Sequence, residues 1–434
     1  MFEGLKQAHQ SALDRAAMRA LRNACRTLLS ERGAANSVKF ATALIEHYRA
    51  LPGEARGGFF AMLDEDFAPD PQQVLEHAQR YAEAQSADSL VRLLSMVEPP
   101  RQELLRRINC APGGAATLLE MRADLIRALK QQAGLAAVEA DFGHLLRSWF
   151  NPGFLKLVRV DWSAPARRLE QIIRHEAVHA IRDWDDLRRR LEPDRRCFAF
   201  LHPALPGDLL IFVEVALTNA MPDSIAPLID GSSIDPHPER ARHAVFYSIS
   251  NCQPGLRGVS LGNFLIKQVC ETLNGEFPRL SRFCTLSPMP GFAAWLRRGA
   301  PNDAGRLSKG AGARVDRARE SLRKAFGDPI GPCALAALEG AEQPVREALL
   351  RLGGAYLLLT RDQDPASDPV ARFHLDNGAR IERINFLANR SARGLRESCG
   401  MMVNYVYDLP AIERYHENFV QGRIEASHAV LQRV

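Results

Sequence analysis

The chain has 434 residues, 46% of them hydrophobic and 25% charged, a composition that is ordinary for a globular protein and excludes a fibrous or largely disordered chain. Its formal net charge of +5 is small for this length, which argues against an extended basic surface for nucleic acid. At roughly 100 to 200 residues per domain, the length predicts two domains.

The sequence also bears on membrane insertion and redox state. No apolar run reaches the roughly 20 residues that cross a bilayer, and the N-terminus has no secretory signal pattern. The eight cysteines are scattered singly without a CxxC pair, which argues against a zinc ribbon or a disulfide scaffold. We therefore expect a cytoplasmic protein with reduced thiols.

The first 150 residues have a helical pattern throughout. Leu90, Leu94 and Val97 recur at the spacing of one helix face, and breaks such as Pro99-Pro100 interrupt the pattern. Residues 1–150 are therefore predicted to form an all-α helical bundle that serves oligomerisation or support.

After residue 150 the pattern changes to that of a mixed α/β domain, predicted over residues 151–434. Runs rich in β-branched and aromatic residues predict its strands. These runs are Cys197–Leu201, Leu209–Leu217, Ala244–Ser250, Arg282–Leu286, Ile381–Phe386 and Met402–Tyr407.

One of these strands leads into the segment QPGLRGVSLGNF, Gln253–Phe264, which is followed by a helical pattern. A strand, a glycine-bearing turn and a helix start place free backbone N–H groups and the positive end of the helix dipole at one point. The glycines allow a ligand to approach the backbone, while Arg257 can add charge and Ser260 a hydroxyl donor. This segment, called here the phosphate loop, is predicted to bind a pyrophosphate; a plain strand-to-helix turn would have the same pattern.

Ser287 comes directly after the next predicted strand, in the sequence RFCTLSPMPGF. Two parallel strands that flank one helix would place Ser287 at the carboxyl end of the sheet, beside the phosphate loop, where open α/β sheets gather their sites. A serine in a turn before proline is also an ordinary structural residue.

Four motifs in this order resemble the malonyl-CoA decarboxylase family. They are GVSLGNFLIK, LSPMPGFAAWL, PVARFHLDNGARIERINFLANRS and GMMVNYVYDL. The resemblance covers residues 150 to 434 closely, and the helical first third is similar to the family's N-terminal helical domain. It implies a GNAT-like mixed α/β catalytic domain, of the acyltransferase type whose Q/R-x-x-G-x-G/A loop binds the coenzyme A pyrophosphate. Residues 253–258 only approximate that loop.

The resemblance implies decarboxylation of malonyl-CoA to acetyl-CoA and carbon dioxide, by a homotetramer that serves fatty acid metabolism. By motif, Ser287 and His374 correspond to the family's catalytic pair. A histidine near its usual pKa of ~6.5 can bind the departing carboxylate and donate a proton to the enolate. No metal or organic cofactor is expected, because the thioester itself accepts the electron pair. The residues predicted to contact the substrate and its coenzyme A are Arg257, Gly258, Val259, Ser260, Leu261, Gly262, Asn263, Ser287 and His374.

The residues themselves leave a structural interpretation of His374 open. It could be a core residue of an amphipathic helix that ends at Asn377-Gly378. Tyr405 and Tyr407 lie in a predicted strand and could help to line the site, although an aromatic strand face is more often core.

Two alternative enzyme classes share part of the pattern. His175-Glu176-Ala177-Val178-His179 matches H-E-x-x-H, which on a helix predicted over 172–190 would place two imidazoles on one face as zinc ligands. Glu192 or Glu214 would have to supply the third ligand of such a metalloprotease. A GNAT-type acyltransferase would share the phosphate loop but would need neither Ser287 nor His374.

Overall fold

The computed structural model describes residues 2–231, 234–259, 265–299, 309–327, 335–360 and 367–434. The chain divides into two compact units. In their described parts, the helical unit contains residues 2–155, 201–208 and 253–259, and the sheet unit contains residues 156–200, 209–252 and those from 265 onwards. The two units are not divided at a single point of the chain, and the predicted boundary at residue 150 stays a prediction.

The regular elements within residues 2–155 of the helical unit are helical, which confirms the predicted all-α N-terminal region. The α-helices are α1 (Phe2–Leu29), α2 (Glu31–Ala35), α3 (Ser37–Arg49), α4 (Arg56–Asp66), α5 (Pro71–Ala84), α6 (Ala87–Val97), α7 (Pro100–Asn109), α8 (Gly114–Ala128) and α9 (Ala136–Trp149). Buried aromatic rings meet edge to face in the core, with Tyr48 and Phe59 5.1 Å apart and Phe59 and Phe60 5.5 Å apart. The Tyr48 hydroxyl donates a hydrogen bond of 2.7 Å to Asp124, so its polar end is satisfied inside this core.

Helices α5 and α6 begin at well-formed caps. The Asp70 carboxylate accepts backbone N–H bonds at the start of α5, and Ser86 forms a capping box with Ser89 at the start of α6. The apolar face of α6 is nevertheless open to solvent, since Val91 and Leu94 are each 61% exposed. The periodicity in the sequence thus predicted the helix, and the packing leaves its apolar face uncovered within this chain.

The described residues of the sheet unit form one sheet of eight strands. The strands are β1 (Lys156–Val160), β2 (Arg195–Leu201), β3 (Leu209–Thr218), β4 (His243–Asn251), β5 (Arg282–Thr285), β6 (Ser287–Pro288), β7 (Arg380–Asn385) and β8 (Met402–Tyr407). Each strand predicted from the sequence is present, with ends that differ by at most two residues. The mixed α/β character of this part of the chain is therefore confirmed.

Helices alternate with these strands along the chain. They are α10 (Ala166–His175), α11 (Trp184–Arg190), α12 (Ala226–Ile229), α13 (Leu265–Glu276), α14 (Phe292–Arg297), α15 (Lys309–Phe326), α16 (Leu335–Glu339), α17 (Gln343–Leu358), α18 (Pro369–Asp376), α19 (Ala392–Ser398), α20 (Ile412–Val420) and α21 (His428–Arg433). The strand order is β1-β2-β3-β4-β5-β8-β6, and β7 also pairs with β8.

The sheet combines a parallel strand pair with antiparallel pairs. Strands β4 and β5 run parallel, whereas β3 with β4, and β8 with β5, β6 and β7, run antiparallel. A parallel pair needs a crossover connection, and α13 lies in the chain between β4 and β5. This arrangement confirms the prediction of two parallel strands that flank one helix, and it brings Ser287 to the carboxyl end of β5.

Two further observations concern the membrane and the cysteines. Within the described ranges, no helix combines the length and the apolar character that a membrane span requires. Cys399 is disulfide-bonded, so the expectation of reduced thiols is wrong at this position. The cysteines found as free thiols are Cys25, Cys110, Cys197, Cys252, Cys270 and Cys284.

Candidate active site

Ser287 and His374 lie side by side in the sheet unit. The Ser287 Oγ and the His374 Nε2 are 2.9 Å apart, within hydrogen-bond distance. Both side chains are buried, with 5% and 3% of their surface exposed. Two motifs that are 87 positions apart in the sequence thus meet at one point of the fold.

Strand pairing places Ser287. It lies in β6, directly after β5, and pairs with Val403 of β8 in antiparallel register. Side chains of a strand alternate between faces, so Thr285 and Ser287 project to the same side. The Ser287 hydroxyl donates a hydrogen bond of 2.9 Å to the Thr285 Oγ1.

Helix α18 places His374 in its last turn. The Asp368 carboxylate caps the start of this helix by accepting bonds of 3.0 Å from the N–H groups of Val370 and Ala371. The helix ends at Asp376, and Gly378 has a φ of +75°, a left-handed conformation that favours glycine. The predicted helix end at Asn377-Gly378 is confirmed.

The cap of α18 is tied to the turn that follows Ser287. The second oxygen of Asp368 accepts a bond of 3.2 Å from the Gly291 N–H and one of 2.8 Å from the Tyr356 hydroxyl. A side chain on Gly291 would place a Cβ only 2.2 Å from that tyrosine hydroxyl. The start of α18 and the Ser287 turn are therefore held together by buried polar contacts.

Tyr407 completes a chain of side-chain hydrogen bonds through His374. The Tyr407 hydroxyl lies 2.7 Å from the His374 Nδ1, and the Tyr405 ring stacks on the imidazole at 4.6 Å between centroids. The Thr285 Oγ1 also accepts a bond of 3.1 Å from the Tyr405 N–H. The Ser287 hydroxyl uses its proton in the bond to Thr285, so it accepts a hydrogen bond from the His374 Nε2. The His374 Nδ1 then accepts a hydrogen bond from the Tyr407 hydroxyl.

Burial decides the charge of this histidine. Removal from water lowers the pKa of His374 from 6.5 to about 3, because the apolar surroundings disfavour the imidazolium. The expectation of a catalytic histidine near its ordinary pKa is therefore wrong for the unliganded protein, in which His374 is neutral. Burial also raises the pKa of Tyr407 well above its usual value, so this hydroxyl keeps its proton.

Sequence reasoning missed Thr285 and Asn404. The Asn404 side chain donates a bond of 2.7 Å to the Thr285 carbonyl and accepts one of 2.8 Å from Asn385. The first of these bonds holds the backbone at the end of β5, where Thr285 lies. The available signal for Thr285 was the alternation of side chains, which places residues 285 and 287 on a common face; it does not point to Asn404, which faces away from Tyr405 and Tyr407.

The described part of the phosphate loop lies in the helical unit, whereas Ser287 and His374 lie in the sheet unit. Pro254–Leu256 form a short 3-10 turn, and Gly258 has a φ of +75°. Arg257 and Gly258 are exposed and Val259 is buried. The other predicted substrate contacts in this loop, Ser260, Leu261, Gly262 and Asn263, lie outside the described residues.

The predicted helix over 172–190 is wrong, and with it the zinc geometry of H-E-x-x-H. Helix α10 ends at His175, and the Glu176 carboxylate accepts bonds of 2.7 and 2.8 Å from the backbone N–H groups of Val178 and His179. Ser248 donates to the same carboxylate from the sheet. The Glu176 carboxylate thus satisfies the N–H groups of Val178 and His179 that a continuing helix would have used, so the two histidines do not share a helix face.

Nor do other side chains complete such a metal site. Glu214, one candidate third ligand, is fully buried, and its carboxylate lies 3.2 Å from the Arg190 guanidinium. Within the part of the chain that the structure describes, no group of three or more His, Cys, Asp and Glu side chains is placed to hold a metal ion. The arrangement that a metalloprotease requires is therefore not formed by this motif.

Known sequences identify the family of the chain. A family model of the malonyl-CoA decarboxylase C-terminal domain matches residues 153–434, and one of the N-terminal domain matches residues 67–150. The mitochondrial malonyl-CoA decarboxylase of Rattus norvegicus is 36% identical over 402 residues, which are 87% of this chain and 82% of the rat protein. The mitochondrial enzyme of Anser anser anser is 35% identical over 394 residues, 84% of this chain and 77% of its own.

Solved structures agree in fold and in extent. Malonyl-CoA decarboxylase from Rhodopseudomonas palustris is 44% identical, with a TM-score of 0.85 over 96% of this chain and 99% of its own. The enzyme from Agrobacterium vitis is 43% identical, with a TM-score of 0.82 over 95% of this chain and 99% of its own. On both sequence and structure, the chain belongs to the malonyl-CoA decarboxylase family.

Proposed function

We propose that this chain decarboxylates malonyl-CoA to acetyl-CoA and carbon dioxide, and that Ser287 and His374 carry out the proton transfer. The observation that carries the proposal is the 2.9 Å contact between the Ser287 Oγ and the His374 Nε2 in a buried site. The reaction is proposed from membership of the family. Ser287 and His374 would supply the hydrogen-bond donors next to the carbon that gains a proton.

The reaction needs one electron sink and one proton. The bond between the α-carbon and the carboxylate breaks, its electron pair moves into the thioester as an enolate, and carbon dioxide leaves. The enolate carbon then takes one proton from the pair, and one proton from solvent restores it. The thioester accepts the electron pair itself, so the proposal includes no metal or organic cofactor.

Because His374 is neutral without substrate, binding of the anionic substrate has to promote its protonation. A neutral imidazole is a poor net proton donor, and Tyr407 holds its proton too firmly to replace one that is lost. A malonyl carboxylate beside the ring would favour the imidazolium, because an opposite charge at close range stabilises it. We propose that His374 takes up a proton together with the anionic substrate and passes it to the enolate through Ser287.

The phosphate loop is proposed to hold the pyrophosphate of coenzyme A. Arg257 is exposed and can pair with a phosphate, and the left-handed Gly258 lets the backbone turn without a side chain in the way. The same role is proposed for the backbone groups of Val259 and of residues 260–263.

The direct test is to incubate the purified protein with malonyl-CoA in D2O and to follow the products by mass spectrometry. Acetyl-CoA with one deuterium in the methyl group is expected, since the enolate is protonated from exchangeable groups. Recovery of unchanged malonyl-CoA would contradict the proposed activity.

A homotetramer in the cytoplasm, active in fatty acid metabolism, belongs to the same proposal. The exposed apolar face of α6 supports contacts between copies, since large exposed apolar patches mark interaction surfaces. Val91→Asp with Leu94→Asp should lower the mass measured by light scattering, whereas Val38→Asp, at another exposed valine, should not. An unchanged mass in the double variant would remove α6 from the interface.

The proposed location is supported by the free thiols found among the described cysteines, which are typical of a reducing compartment. The disulfide at Cys399 points the other way. Cell fractionation with an antibody to the protein tests the location directly, and recovery outside the cytoplasmic fraction would contradict it.

A further inference from the structure

A buried arginine of helix α8 contacts the start of the phosphate loop within the helical unit. Arg122 lies in α8 with only 4% of its surface exposed. Its Nη1 donates a hydrogen bond of 2.6 Å to the Gly255 carbonyl, 133 positions further along the chain. We propose that Arg122 is a positioning residue for the loop, through which helix α8 sets the enzyme's affinity for the nucleotide part of coenzyme A. This inference rests on the proposed function of the loop.

Glu139 binds the other two nitrogens of the guanidinium. The Arg122 Nε and Nη2 donate bonds of 3.2 and 2.6 Å to the two carboxylate oxygens of Glu139, on helix α9. A guanidinium held by a bidentate contact has little freedom to rotate, so the Arg122 Nη1 keeps its direction towards Gly255. The bond to Gly255 is therefore an oriented contact between fixed elements.

Gly255 also lies directly against the backbone of α8. A Cβ at this position would lie 2.2 Å from the Leu119 carbonyl oxygen, a distance that real Cβ atoms essentially never show. Leu119 and Arg122 are three positions apart and therefore share one face of α8. Loop and helix touch at two adjacent points, and glycine at position 255 is required by this close approach.

The anchored residue determines the position of the residues that follow. In the turn, the Leu256 N–H donates to the Gln253 carbonyl at 2.9 Å, and the Val259 N–H donates to the Leu256 carbonyl at 3.0 Å. Arg257 and Gly258, which lie between these bonds, are exposed. Fixing Gly255 therefore orders the exposed backbone before a ligand arrives, which reduces the entropy lost on binding.

Arg122→Lys tests the inference, because lysine keeps the charge beside Glu139 but cannot make both contacts at once. The matched control is Arg127→Lys, the same substitution at an exposed arginine of α8 that pairs with Asp124. The substrates are malonyl-CoA and malonyl-N-acetylcysteamine, a thioester without the nucleotide. For Arg122→Lys, KM for malonyl-CoA should rise roughly tenfold while kcat stays within about threefold, as expected for lost uniform binding.

The truncated thioester separates the possible outcomes. Arg122→Lys should leave its kcat/KM unchanged, and Arg127→Lys should resemble the wild type with both substrates. An unchanged KM for malonyl-CoA in Arg122→Lys, or an equal loss with both thioesters, would overturn the inference. If the wild-type protein showed no preference for malonyl-CoA over the truncated thioester, the proposed phosphate binding itself would fail.

Hydrogen exchange in the wild-type protein provides a test that does not depend on a variant that folds. Addition of coenzyme A should slow amide exchange in peptides that cover 253–259 and in peptides that cover residues 119–122 of α8, because the two segments are joined. Protection of the loop without any change in α8 would contradict the anchoring role of Arg122.

Discussion

His374 and His179 are two buried histidines of the sheet unit with different surroundings. Burial lowers the pKa of each to about 3, so both are neutral. Both ring nitrogens of His374 meet a hydroxyl group, on Ser287 and on Tyr407. The His179 Nε2 has no hydrogen-bond partner in the described part of the chain, and the positive charge of Arg190 further disfavours its protonation. Burial thus sets the charge of a histidine, and its hydrogen-bond partners decide what it can do.

The largest expected difference between the two histidines is in turnover. His374→Ala and Ser287→Ala should each lower kcat with malonyl-CoA by roughly 10² or more, as expected for the loss of a proton-transfer group. His179→Ala should stay within about threefold of the wild type, because its contacts in the described part of the chain are with residues other than Ser287 and His374. The measurement is the rate of acetyl-CoA formation, with thermal melting to confirm that each variant is folded. Comparable losses of kcat in His374→Ala and His179→Ala would contradict a catalytic role that His374 has and His179 lacks.

Tyr407→Phe leaves one ring nitrogen of His374 without its hydroxyl partner, as one ring nitrogen of His179 is without a partner among the described residues. The variant removes the partner of Nδ1 and keeps the ring that packs in the core, so the imidazole loses the contact that orients its tautomer. A lost hydrogen bond of about 1 to 1.5 kcal/mol corresponds to roughly a tenfold lower kcat, with KM little changed.

Nitrogen NMR of labelled His374 supplies a readout that general destabilisation would not change. The wild-type ring should show a proton on Nε2, and Tyr407→Phe should show a mixture of the two tautomers. An unaltered tautomer together with wild-type kcat would exclude Tyr407 as a positioning residue.

The last expected difference concerns the dependence of stability on pH, with no change in turnover. A histidine whose pKa is lowered by folding binds its proton more readily when unfolded, so its contribution to stability is complete above pH 6.5 and is lost as the pH falls towards 3. His179→Asn removes one such group. Its free energy of unfolding should therefore depend less on pH between 6 and 4.5, by up to about 1.4 kcal/mol per pH unit.

Urea unfolding of both proteins at several pH values measures this difference, and groups common to the two proteins cancel. Parallel curves for the wild type and His179→Asn would mean that His179 is protonated in the folded protein, contrary to its burial.

Local pattern was enough to predict much of the sheet unit. The strand at Met402–Tyr407 is predicted to the residue, because β-branched and aromatic side chains that alternate along a short segment have few other ways to be buried. The end of α18 at Asn377-Gly378 is likewise local, since Gly378 adopts the left-handed conformation that ends helices.

Contacts between distant residues decided the rest. Local periodicity predicted a helix through Glu176, but Ser248, 72 positions away, helps to hold that carboxylate against the backbone instead. The neutral state of His374 follows from its burial, which no local pattern reports.

The sequence by itself determined the family, the strands, and Ser287 and His374 as the candidate pair, because these depend on residue type and local order. Only the tertiary structure decided that this pair is neutral and linked to Tyr407, and that the phosphate loop packs on helix α8 through Arg122 and Gly255. The physical reason is that charge state and anchoring depend on which distant groups exclude water and which supply a hydrogen bond.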